Sequence, residues 1–67
     1  MNNLPENLKN LRIENKITQQ EIADYIHKTK ATYCRYEKGT LKPDIDTLIL
    51  IADMYKVSLD YLTGRYK

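Results

Sequence analysis

Apolar residues along the chain recur three and four positions apart, the spacing of one face of an α-helix, and no strand-length stretch alternates consistently. Leu4, Leu8 and Leu11 predict a first helix that begins around Pro5, tolerated in a first turn, and runs to about Asn15. Asn15 and Lys16 read as a turn. Thr18 and Glu21 then form a capping-box pattern: a hydroxyl to cap the helix, and a carboxylate three residues on to reach back to the cap's amide. The helix they open carries Ile22, Ala23 and Ile26 on one face and ends near His27, because Thr29 offers the next cap. A third helix follows over residues 30–37, with Tyr33 and Tyr36 inward, Lys30, Thr32 and Arg35 outward, and Gly39 as its stop. Asp44 caps a fourth helix bearing Leu48, Ile51, Ala52 and Tyr55. Ser58 caps a short fifth with Leu59 and Leu62, and Gly64 ends it. The expected fold is all-α: five short helices in one domain over residues 1–67, the second and third meeting at a tight turn.

Composition narrows the chemistry. At 67 residues the chain suits one small domain with a thin core, for which self-association is a reasonable source of extra stability. A single cysteine, Cys34, rules out an internal disulfide, and no Cys/His cluster suggests a metal. One histidine, His27, excludes mechanisms that need two, and glycines at 39 and 64 alone make no phosphate-cradling loop. No group has an evident activating partner, so the chain is not expected to be an enzyme, and no cofactor is expected. Without a signal peptide pattern or an apolar run of roughly 20 residues, the expected location is cytoplasmic, with no membrane partner.

The net charge of +2 is unevenly spread. Residues 28–42 hold Lys28, Lys30, Arg35, Lys38 and Lys42 against Glu37 alone, a balance of +4, while residues 1–27 and 43–67 each carry −1. The positive charge therefore falls on the third helix and its flanks.

Residues 17–39, ITQQEIADYIHKTKATYCRYEKG, resemble the helix-turn-helix of the phage repressor and Cro-type DNA-binding family, the Xre-like transcriptional regulators. Residues 42–64, KPDIDTLILIADMYKVSLDYLTG, resemble the two helices that complete that five-helix domain. The resemblance implies a second helix crossing the phosphate backbone and a third reading bases in the major groove of double-stranded DNA. On that footing Lys30, Ala31 and Arg35 match base-reading positions, with Thr32 as a weaker fourth; their residue types suit guanine acceptors and thymine methyls. Gln19 matches a glutamine that hydrogen-bonds phosphate and braces the recognition helix. Lys28, Thr29, Lys38 and Lys42 are candidate phosphate contacts, which fix register without reading sequence. Arg12 and Glu37 match a structural pair tying the first helix to the third. That pairing would explain the one acid in the basic segment.

Family members often have glycine where Lys16, His27 and Lys56 stand. Strain is expected at His27, and at Asn15 in place of Lys16. Cys34 reads as a small side chain beside the groove. Family dimers usually meet through the last helices. Leu50 and Met54, read as an exposed apolar strip, together with Leu59, Leu62 and Tyr66, form the expected interface. The expected function is a homodimeric, sequence-specific regulator on a palindromic operator, with repression favoured over activation. The alternative is an antitoxin whose main partner is another protein and whose DNA binding serves autoregulation.

Overall fold

The computed structural model describes residues 3–64. Five helices follow in order: α1 (Leu4–Glu14), α2 (Gln19–Tyr25), α3 (Lys30–Lys38), α4 (Ile45–Tyr55) and α5 (Leu59–Thr63), with no strand among the described residues.

Each start has a local chemical cause. Thr18 caps α2 reciprocally, its hydroxyl accepting from the Glu21 N–H at 3.1 Å while its own N–H donates to the Glu21 carboxylate at 2.7 Å. Thr29, Asp44 and Ser58 accept from Thr32, Thr47 and Tyr61 N–H groups at 3.1, 2.9 and 3.0 Å. Helix α1 lacks a side-chain cap and has Pro5 in its first turn, where a missing N–H loses nothing.

The ends share one device. After each of α1 to α4 a left-handed residue turns the chain, and two successive N–H groups reach back to the helix carbonyls. In α1 these bonds run from Lys16 to Ile13 at 3.0 Å and from Ile17 to Arg12 at 3.2 Å. The left-handed residue is Gly39 after α3, but Lys16, His27 and Lys56 elsewhere, with φ of 57°, 61° and 58°. The strain expected at Asn15 falls on Lys16 instead. Asn15 keeps φ −90° and uses its side-chain amide to close α1, donating to the Leu11 carbonyl at 2.7 Å.

Leu4, Leu8 and Leu11 of α1, Ile22, Ala23 and Ile26, Tyr33 and Tyr36, Ile51 and Ala52, and Leu62 form one buried core. Tyr33 and Tyr36 meet edge to face, their ring centres 6.2 Å apart. Asn7 tethers α1 to α5, donating to the Leu62 carbonyl at 3.0 Å.

This packing corrects the expected interface. Leu62 is fully buried in its own chain and is a core residue. Leu50, Met54 and Leu59 are half-buried and packed on the core, so Leu50 and Met54 form no exposed strip. The apolar side chains that α4 does expose are Ile45, at 59%, and Ile49, at 43%. Tyr66 lies outside the described residues.

Candidate nucleic-acid interface

The site is built around α3. Its inner face is held by Tyr33 and Tyr36, both buried, which leaves Lys30, Ala31, Arg35 and Lys38 exposed. Lys30 stands directly after the Thr29 cap, and Arg35 follows Ala31 by one helical turn. Thr32 is half-buried, and its hydroxyl oxygen accepts from Thr29 at 3.0 Å. Both threonine hydroxyls are thus engaged in the helix start.

Behind this face lies a polar hub. Glu37 is the last acid of α3, and its side chain is only 6% exposed. One carboxylate oxygen accepts from Arg12 Nε at 2.7 Å and from the Tyr33 hydroxyl at 2.6 Å. The other accepts from the Gln19 amide at 3.1 Å and from Arg12 Nη2 at 3.3 Å. Arg12 Nη1 also reaches the Ile17 carbonyl at 3.2 Å. Helices α1, α2 and α3 therefore meet at one carboxylate.

The electrostatics follow from that crowding. Burial by itself raises the pKa of Glu37, but the bonds from Arg12, Tyr33 and Gln19 favour the charged form and hold it below its ordinary value. Arg12 moves up through its hydrogen bond to Glu37. Burial, and then the bond to Glu37, push the Tyr33 hydroxyl well above its usual range. Burial also raises Tyr55, to about 12, and its hydroxyl has no hydrogen-bond partner among the described residues.

Gln19 is held at both ends. Its amide nitrogen donates to Glu37, and its oxygen accepts from the Cys34 thiol at 3.3 Å. Half-buried at the start of α2, it braces α3 from the side. Lys38, the last residue of α3, and Lys42, in the segment after it, are exposed. Lys28, in the turn between α2 and α3, is within electrostatic reach of Asp44. That carboxylate is held below its ordinary value by hydrogen bonding to Thr47 and, less strongly, by Lys28.

The bracing role of Gln19 was expected, but two members of the hub were not, the Tyr33 hydroxyl and the Cys34 thiol. The Tyr33 hydroxyl could have been found, since Glu37 follows it by four residues on one helix. The bonds of Gln19 to Glu37 and Cys34 span 18 and 15 residues, and no local pattern announces them. No group of three or more His, Cys, Asp or Glu placed to hold a metal occurs among the described residues. No helix among them is long and apolar enough to cross a membrane.

Comparison with known proteins agrees with the fold. A family model described as Helix-turn-helix matches residues 8–62. The chain is 49% identical over 57 residues to the uncharacterized HTH-type transcriptional regulator YqaE of Bacillus subtilis (strain 168), covering 85% of this chain and 49% of the relative. It is 38% identical over 57 residues to the cryptic phage CTXphi transcriptional repressor RstR of Vibrio cholerae, covering 85% and 51% respectively. A crystal structure of a transcriptional regulator from Listeria innocua superposes with a TM-score of 0.94 at 31% identity, over 100% of this chain and 63% of that one. The chain spans about half the length of the curated relatives it matches.

Proposed function

The chain belongs to the helix-turn-helix family, and from that premise we propose that it is a sequence-specific double-stranded DNA-binding transcriptional regulator. The observation that carries the reading is the division of α3 into two faces. One is fixed to α1 and α2 by the Glu37 hub, and the other presents Lys30, Ala31 and Arg35 to solvent. A helix about 10–12 Å across fits the major groove, and a base-reading helix needs its rotation fixed as well as its position. Lys30 and Arg35 donate to guanine, Ala31 meets a thymine methyl, and Thr32 is a secondary contact. Gln19, Lys38 and Lys42 hold the backbone, with Thr29 and Lys28 as weaker contributors.

The regulator acts as a homodimer on a palindromic operator and represses by obstructing polymerase. Support for dimerisation comes from the small core and from the exposed Ile45 and Ile49 of α4. Support for repression comes from relatives such as RstR, named a transcriptional repressor. Two copies would read half-sites about 34–36 Å apart.

Selection from random duplex DNA at about 150 mM salt tests this. A two-fold symmetric consensus supports the reading. Enrichment of no sequence, together with co-purification of a second polypeptide, would move the chain to the antitoxin class.

A further inference from the structure

Two concavities adjoin along the side of α3. One is lined by Arg12, Ile17, Thr18, Gln19, Gln20 and Lys30. The other, a groove of about 230 Å³, is lined by Lys9, Arg12, Gln19, Cys34, Glu37 and Lys38. Arg12 and Gln19 line both, so the two lie side by side along the helix. Lys30, Cys34 and Lys38 mark it at successive helical turns, its two lysines about 12 Å apart along the axis.

The second groove has the charge of an anion site. Glu37 is its one acid, and both of its oxygens are occupied by Arg12, Tyr33 and Gln19, with Arg12 cancelling its charge. Lys9 and Lys38 remain, both exposed and neither paired with a carboxylate among the described residues. Two uncompensated ammonium groups thus flank a polar floor beside the reading face.

We propose that this groove holds a backbone phosphate of the bound duplex and that Lys9 of α1 is one of its two cationic contacts. The proposal rests on the DNA-binding reading and extends it to a helix that the sequence left out of the interface. Bases lie against Lys30, Ala31 and Arg35. One strand's backbone runs along Gln19, Cys34 and Lys38, and Lys9 closes on it from the opposite side. The sole cysteine of the chain then lies beneath that backbone.

Salt titration of duplex binding by Lys9→Gln tests the contact, with Lys56→Gln, outside the groove, as control. Losing one phosphate contact per protomer should make the log–log salt slope shallower by about 0.9. The wild-type advantage over Lys9→Gln then shrinks about 3.5-fold per protomer between 50 and 200 mM salt, because a fourfold rise is taken to that power. The selected consensus and the melting temperature of Lys9→Gln should match wild type, and Lys56→Gln should keep the wild-type slope. Alkylation of Cys34 by iodoacetamide should slow when duplex saturates the protein. Wild-type protein that binds duplex while Lys9→Gln keeps its slope overturns this proposal alone, as does alkylation that duplex leaves unslowed. Wild-type protein that binds no duplex overturns the DNA-binding reading itself and this proposal with it.

Discussion

The two halves of the molecule are held by different physics. Helices α1, α2 and α3 converge on the Glu37 carboxylate, which takes four hydrogen bonds from three side chains. Helix α4 contributes Ile51 and Ala52 to the core, with Leu48, Leu50, Met54 and Tyr55 packed against it, and its Tyr55 hydroxyl is left without a partner. Apolar packing fixes distance and volume but has little directional preference. Charge-assisted hydrogen bonds fix angles. The half whose helix, in the proposed function, presents particular side chains to base edges is the half that carries the directional bonds.

Breaking the hub should have the largest effect. Arg12→Ala leaves a buried carboxylate without its cation and should destabilise by about 3 kcal/mol in urea unfolding. The double variant with Glu37→Ala should lose less than the sum of the two single changes, since each removes the other's partner. The same bonds set a pH dependence. Glu37 titrates below its ordinary value of 4.5, so its contribution is complete above that pH and is lost as pH falls through the lower, folded-state value. Glu37→Gln should flatten stability against pH in that acid range, as read by thermal melts.

The apolar half should forgive what the hub does not. Ile51→Leu keeps volume and should lose less than about 1.5 kcal/mol. Glu37→Gln keeps shape equally well, yet it should lose more, because it removes the charge that four bonds serve.

On the reading face the effects move from stability to affinity. Lys30→Ala and Arg35→Ala should each weaken binding to the selected sequence by about 1–3 kcal/mol and relax preference at particular base pairs, with unchanged melting. The smallest effect concerns the left-handed turns. Lys56→Gly should relieve a strained conformation and stabilise by about 1 kcal/mol in thermal melts.

The helix starts were legible because their causes are local: Thr18, Thr29, Asp44 and Ser58 each act on an N–H three residues ahead. The inward faces of α1, α2 and α3 followed from spacing for the same reason. The outward face of α4 did not. The segment Ile45–Tyr55 is apolar on nearly every side, so Leu50 with Met54 and Ile45 with Ile49 are equally spaced pairs. Only packing against the core decides which pair is exposed. Arg12 and Glu37 were visible through the family resemblance. The bracing role of Gln19 was visible the same way, but its bonds to Glu37 and Cys34 run between separate helices, which a single sequence does not encode locally. The exchange of Asn15 for Lys16 has a similar origin: asparagine tolerates the left-handed region better, but here its side chain is used to close α1.

In the proposed function, α3, oriented by the hub, reads base edges through Lys30 and Arg35. Parallel selections from random duplex DNA with wild type and Arg35→Ala test it most directly. Wild type should select a two-fold symmetric consensus, and the variant should lose preference at one symmetry-related base pair of each half-site. An identical consensus from both proteins, at equal affinity, would contradict it.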